Sequence, residues 1–277
     1  MYTTAPAAGS TARARRYPSD TTDAEWAVIE PLLPAPACRT CSGGRPEKHP
    51  RRDVVDAIRY FVDNGCKWRA LPADFPPWKT VYGFFTRWSR DNIVLGLRDR
   101  LREQVRARTD RHRTPSAGII DSQSVRAAET VGRHTRGFDG GKKINGRKRH
   151  IATDTLGLLL GVSVTAAHIT DRRGAELLLR YLHTRHPRLE LVFADGNYSG
   201  RLTTWTQAAL GITLHIVRKI AGQTGFHVLA RRWVVERTLS WITQARRTVR
   251  DYERLPAHPE TIINWAAITL MTRQLTT

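Results

Sequence analysis

The sequence predicts a mixed α/β fold, a sheet flanked by helices and preceded by a small all-α region. Three observations carry this. Up to about residue 108 the apolar residues recur at helical spacing, with no strand-like run. From Ser116 the texture changes to short apolar runs bounded by turn residues. Beyond residue 170, helical stretches alternate with strands, so the order reads as a meander joined to αβ units.

Element by element, residues 1–16 carry Arg13, Arg15 and Arg16 among small residues and read as a disordered basic tail. Thr22-Asp23-Ala24-Glu25 is a capping box, and Trp26, Ile29 and Leu33 follow at helical spacing until Pro34 and Pro36. A second helix is expected from Arg51 to Asn64. It presents Val54, Val55, Ile58, Phe61 and Val62 on one face, and Gly65 stops it. A third is expected over Thr80 to Ser89. A fourth starts near Asn92, with Ile93, Leu97, Leu101 and Val105 spaced by four. Four short helices in a basic segment suggest a helix-turn-helix type DNA-binding module; the alternative is a helical cap on the next domain. Trp68, Trp78 and Trp88 among them suit core packing better than base stacking.

Strands are expected over Gly118 to Val125, Arg149 to Thr155 and Leu158 to Ala167, the last two joined by a turn at Leu156-Gly157. A helix over Asp171 to His186, a strand over Leu189 to Ala194, a helix over Gly200 to Leu210 and a strand over Ile212 to Val217 follow. A long helix from Phe226 to about Tyr252 and a last one from Pro259 to Leu275 complete the chain. The division is then a tail (1–16), a helical region suited to binding DNA (17–108) and a mixed α/β domain (109–277).

Lys plus Arg is 45 and Asp plus Glu is 25, a net charge of 45 − 25 = +20, with a pI near 11.0. Such a surplus points to a polyanion, most simply double-stranded nucleic acid. Composition excludes collagen, a disulfide scaffold and a membrane protein. The longest apolar run, Leu156 to Ala167, is too short to span a bilayer. An N-terminus without an apolar signal core points to a cytoplasmic, nucleoid-associated protein. Cys38, Cys41 and Cys66 are too few for a disulfide framework, and Cys38 with Cys41 makes only half a zinc knuckle.

Three acidic residues stand out. Asp121 and Asp195 each end an apolar strand, where open α/β sheets place their ligands. Glu236 lies in Arg232-Trp233-Val234-Val235-Glu236-Arg237, among bulky apolar neighbours that give a glutamate no evident purpose. Three converging carboxylates in so basic a chain suit divalent cations beside a phosphate backbone. Each has a plainer alternative: a turn former for the aspartates, a surface pair with Arg232 for Glu236. Asp154 is expected to form the turn after it, Asp171 to cap a helix, and His168 to be a structural imidazole.

At these residues the sequence resembles the DDE transposases of bacterial insertion sequences, insertion sequence family five. The likeness covers most of the chain. It includes Gly65-Cys66-Lys67-Trp68-Arg69-Ala70-Leu71-Pro72, Ile120-Asp121-Ser122-Gln123-Ser124-Val125, Gly146-Arg147-Lys148-Arg149-His150, Ala194-Asp195-Gly196-Asn197-Tyr198 and Arg232-Trp233-Val234-Val235-Glu236-Arg237. The resemblance implies an RNase H-like sheet with Asp121, Asp195 and Glu236 as a metal-binding catalytic triad. It implies Mg2+, with Mn2+ as a substitute, metal-dependent cleavage and joining of DNA, and assembly as a homo-oligomer on element ends and target. The family's glutamate signature is Tyr, two residues, Arg, three residues, Glu, six residues, Lys. Arg232 and Glu236 fit it, whereas Leu229 and Thr243 replace the Tyr and the Lys. Arg246 and Arg247, one turn further on, are candidates for the missing charge.

From Arg133 to Arg149 seven cations face one acid, Asp139, with glycines at 137, 140, 141 and 146 interspersed and Gly132 just before. This reads as a mobile phosphate clamp, with Lys142, Lys143, Arg147, Lys148 and Arg149 as DNA contacts. A structure-specific nuclease and a non-catalytic DNA-binding relic are the competing functions.

Overall fold

The computed structural model describes residues 13–41, 43–217 and 232–277. Four helices come first: α1 (Asp23–Ile29), α2 (Arg51–Asn64), α3 (Trp78–Arg90) and α4 (Ile93–Arg108). At the start of α1 the Glu25 N–H donates to the Thr22 hydroxyl (3.1 Å) and the Thr22 N–H to the Glu25 carboxylate (2.9 Å), closing the expected capping box. Gly65 ends α2 in the left-handed region at φ 70°, a conformation that costs glycine little.

The sheet follows. In chain order its elements are β1 (Ala117–Arg126), β2 (Gly137–Asp139), β3 (Ile144–Asp154), β4 (Leu159–Ala166), α5 (Asp171–Arg185), β5 (Leu191–Ala194), α6 (Arg201–Leu210) and β6 (Thr213–Ile216). After the undescribed residues 218–231 come α7 (Arg232–Thr243), α8 (Arg246–Val249) and α9 (Ala257–Thr276). β1, β3 and β4 form an antiparallel meander, and β5 and β6 extend it on the far side of β1 in parallel. The order β4-β3-β1-β5-β6 is the RNase H-like arrangement. Strand alternation sends Ile120, Ala152 and Val192 toward α5 and α6, and Ile119, Ile151 and Phe193 toward α7 and α9.

The second of these cores does not stop at residue 108. Val54, Phe61, Phe85, Leu97 and Leu101 belong to the same buried cluster as Ile119, Ile151, Val235 and Trp265. Helices α1, α2, α3 and α4 all pack on α9, the last element of the chain. The connector between α2 and α3 spans 65–77, that between α3 and α4 only 91–92; α4 buries Arg98, Arg102 and Arg106 with its apolar face and leaves Arg100 exposed. Trp68 stacks on Phe61 (centroids 3.7 Å apart) and Trp88 is buried, so both serve the core.

Four further expectations change. Residues 144–149 are strand, not mobile loop, because β3 pairs with β1 back to Gly146 opposite Arg126. A Cβ at Gly146 would land on the Val125 carbonyl oxygen, so this glycine permits close strand approach rather than motion. Thr170, not Asp171, caps α5, its hydroxyl accepting the Arg173 N–H. The expected long helix breaks after Thr243. There the chain doubles back and the buried Thr248 hydroxyl bonds the Ile242 carbonyl (2.7 Å); residues 226–231, with Leu229, lie outside the described residues. Arg13 is anchored rather than part of a loose tail: its guanidinium meets Asp20 (2.6 Å) and Asp74 (3.2 Å). Residues 1–12 lie outside the described residues. Among the described residues no helix is long and apolar enough to cross a membrane.

Candidate active site

The parallel register between β1 and β5 pairs Ile119 with Phe193. Two residues beyond that pair stand Asp121, still in β1, and Asp195, the residue after β5, close enough that the Asp195 charge acts on Asp121 at the carboxyl edge of the sheet. Both carboxylates are fixed from their own backbone. Asp121 accepts the Ser122 N–H at 2.7 Å, and Asp195 accepts the Asn197 N–H at 2.8 Å as it opens a short 3-10 turn.

Glu236 arrives from α7. That helix is seated by buried Val234 and Val235 and by two bonds to the β3–β4 turn: the Thr238 hydroxyl to the Gly157 carbonyl (2.7 Å) and Arg237 to the Leu156 carbonyl (2.9 Å). Gly157 has φ 86°, and a Cβ there would crowd Thr238, so the turn needs glycine. Glu236 itself is half-exposed. Arg232, one turn earlier, reaches both Glu236 (3.3 Å) and Asp195 (3.7 Å), so one guanidinium links the helix to the strand edge.

The electrostatics are uneven. Burial, with the charge of Asp195 adding to it, pushes the Asp121 carboxyl up to about 6, against the pull of the Ser122 N–H, Arg232 and Lys142. A carboxylate held where its charge is disfavoured, beside a second one, is a hard oxygen-donor pair suited to a divalent cation. The residues therefore fit such an ion at Asp121 and Asp195. Glu236 is joined to them through Arg232, and among the described residues no three acidic, His or Cys side chains are close enough to cage a metal.

A model for the DDE domain of transposases matches residues 112–271, and one for the transposases of the IS4/5 family matches residues 21–97. The chain belongs to the DDE transposase family. A relative from Burkholderia cepacia, the uncharacterized 16.2 kDa protein of insertion element IS402, is 34% identical over 115 residues. That stretch is 38% of this chain and 71% of the relative. The crystal structure of a pre-cleavage Mos1 transpososome aligns over 84% of this chain and 78% of that one, at 10% identity and a TM-score of 0.29.

Behind the carboxylates the transposase has a layer of support that the sequence did not reveal. The Ser122 hydroxyl donates to Asp171 (2.8 Å), Lys148 bridges Asp171 (3.0 Å) and Asp139 (3.5 Å), and the Ser124 hydroxyl donates to Asp139 (2.6 Å). Burial would raise Asp139, but the Ser124 hydroxyl, the Lys142 N–H and the charges of Lys148 and Lys142 hold it at about 2. Its signal was present, as the lone acid among seven cations. Asp171 thus braces the strand carrying Asp121. Asp154 forms its turn as expected, accepting the Leu156 and Leu158 N–H groups, and also binds Arg106.

The cations proposed for DNA divide sharply. Arg147 is fully buried and engaged with Asp251 (3.2 Å), the Glu253 carbonyl and Thr135; Arg149 is buried and donates to the Thr248 carbonyl (2.6 Å). Arg247 pairs with Glu253 and donates to the Cys66 carbonyl (3.0 Å) while lying over Phe61. These three are structural, because β3 is covered on both faces and α8 packs on α2. Lys148 is also buried, between its two carboxylates. Lys143 and Arg246 are exposed, and Lys142 reaches the Ser122 carbonyl (3.2 Å) at the carboxylate edge. Thr243 ends α7. His168 is exposed on one side while its ring packs over Gly137 of β2.

Proposed function

We propose that this transposase binds the ends of an insertion sequence and cuts and joins DNA through Asp121, Asp195 and Glu236 with Mg2+, for which Mn2+ substitutes. The observation that carries the reading is that Asp121, in β1, and Asp195, just after the parallel neighbour β5, lie within electrostatic reach of each other, with the Asp121 charge disfavoured by burial. Asp121 and Asp195 would hold the cation and Glu236 would complete its ligands. Bound there, a divalent cation supplies charge neutralisation at the scissile phosphate and a lowered pKa for the attacking hydroxyl. Arg232 keeps Asp195 and Glu236 in register, and its guanidinium has donors left over for a phosphate oxygen. Lys142, Lys143 and Arg246 supply backbone contacts that position DNA without reading its sequence. Double-stranded DNA as partner and a homo-oligomer on it follow from this reading.

The test uses the DNA that flanks the gene, with the full chain. Asp121→Asn, Asp195→Asn and Glu236→Gln should each abolish metal-dependent cutting while leaving DNA binding intact, since each keeps shape and removes charge. Undiminished cutting by any one of them removes that residue from the triad.

A further inference from the structure

We infer that the cleft between α5 and α6 is a second DNA-contacting site, which grips the phosphate backbone of the strand running away from the carboxylate edge. The inference rests on the reading of that edge as the place where DNA is cut.

The cleft has a volume of about 900 Å3, and its walls include Lys148, Arg172, Arg173, Asn197, Arg201 and Trp205. It shares a wall with the carboxylate edge. Asn197 donates its N–H to Asp195 on one side, and its carbonyl accepts Arg172 Nε (3.1 Å) on the other. A strand crossing the edge at Asp195 therefore meets Arg172 next.

The charges in the cleft do not cancel. Four cations (Lys148, Arg172, Arg173, Arg201) stand against two acids, Asp171 and Glu176. Asp171 is taken by Lys148, and Glu176 by Arg173 (2.7 Å) and Arg180 (3.3 Å). Among the described residues the Arg172 side chain has only a carbonyl partner, and that of Arg201 has no hydrogen bond or ion pair. Their position adds to the argument. Arg172 and Arg173 lie in the first turn of α5 and Arg201 in that of α6, where the helix dipole disfavours a cation. Three arginines at two helix starts, all facing one cleft, are electrostatically reasonable once an anion lies between them. Trp205 offers a half-buried ring on the same wall, with Arg180 4.8 Å from its centroid, a surface on which a sugar or base can stack. The open, elongated surplus of positive charge beside the cutting edge suits a phosphodiester chain.

The experiment measures DNA affinity of the full chain by fluorescence anisotropy at several salt concentrations. The probe is a duplex carrying one element end and its flanking DNA, and the background is Asp121→Asn, so that the DNA stays intact. Adding Arg172→Glu with Arg201→Glu should weaken binding by about tenfold or more and lower the slope of log affinity against log salt by about 1.8, two phosphate contacts' worth. Arg172→Gln with Arg201→Gln, which removes charge without reversing it, should lose a smaller factor with the same drop in slope. Arg100→Glu with Arg111→Glu makes the same charge change outside the cleft and should lose far less. Equal losses in the two reversal pairs, or an unchanged slope in the cleft pair, would overturn the inference. The cutting assay of the unaltered protein reads the other claim separately: DNA bound through the cleft but never cut removes the cleavage reading and leaves the cleft contact.

Discussion

Asp121→Asn should make the protein more stable as well as inactive, by an amount that depends on pH. The native carboxyl sits at about 6, against an ordinary value of 3.8. A carboxyl whose native pKa is raised leaves folding unaffected while it is protonated in both states and opposes folding once the unfolded chain ionises. Its contribution is therefore neutral below about pH 4 and increasingly unfavourable up to about pH 6, then constant. Two pKa units correspond to about 3 kcal/mol, an upper bound because the side chain keeps some contact with water. Asparagine has the same shape and no charge, so it escapes this cost. Urea unfolding of both proteins without divalent cation should show the variant ahead by about 2–3 kcal/mol at pH 8 and by less than about 1 kcal/mol at pH 4. A pH-independent gap, or a variant no more stable at pH 8, would refute the reasoning about Asp121. Millimolar Mg2+ at pH 8 should then narrow the gap, since an ion that binds only the native carboxylates stabilises wild type alone.

Other expectations follow from the same structure. Asp251→Ala, which strands the fully buried Arg147, should cost about 3–5 kcal/mol, measured by urea unfolding, whereas Lys143→Ala should stay within about 0.5 kcal/mol and weaken DNA binding instead. Gly146→Ala should lose about 3 kcal/mol or more and lower the melting temperature, because the added Cβ meets the β1 backbone. Mg2+ and Mn2+ should support cutting and Ca2+ should not, since Ca2+ takes looser ligands at about 2.3–2.6 Å; cutting that survives EDTA would contradict a metal-dependent reaction. Residues 17–108 expressed alone should be largely unfolded by circular dichroism, because α9 completes their core; a cooperative melt of the fragment would show otherwise.

Much was legible in the sequence because it is written in local physics. The capping box at Thr22, the glycine stop at Gly65, the turn at Asp154 and the apolar strands ahead of Asp121 and Asp195 depend on neighbours within a few residues. A carboxylate after an apolar strand announces the sheet edge whatever the strand pairs with. What local signals could not carry was partnership across the chain. Charge density made Arg147 and Arg149 look like DNA contacts, yet whether an arginine meets phosphate or a buried Asp251 depends on residues a hundred positions away. The 133–149 glycines suggested mobility, and only the approach of β1 shows Gly146 to be a packing requirement. The four N-terminal helices looked like a module because their periodicity is complete. Their dependence on α9 is invisible until the last helix is folded against them. The closeness of Asp121 and Asp195 is likewise a matter of strand register, which the sequence leaves open and the parallel pairing of β1 with β5 decides.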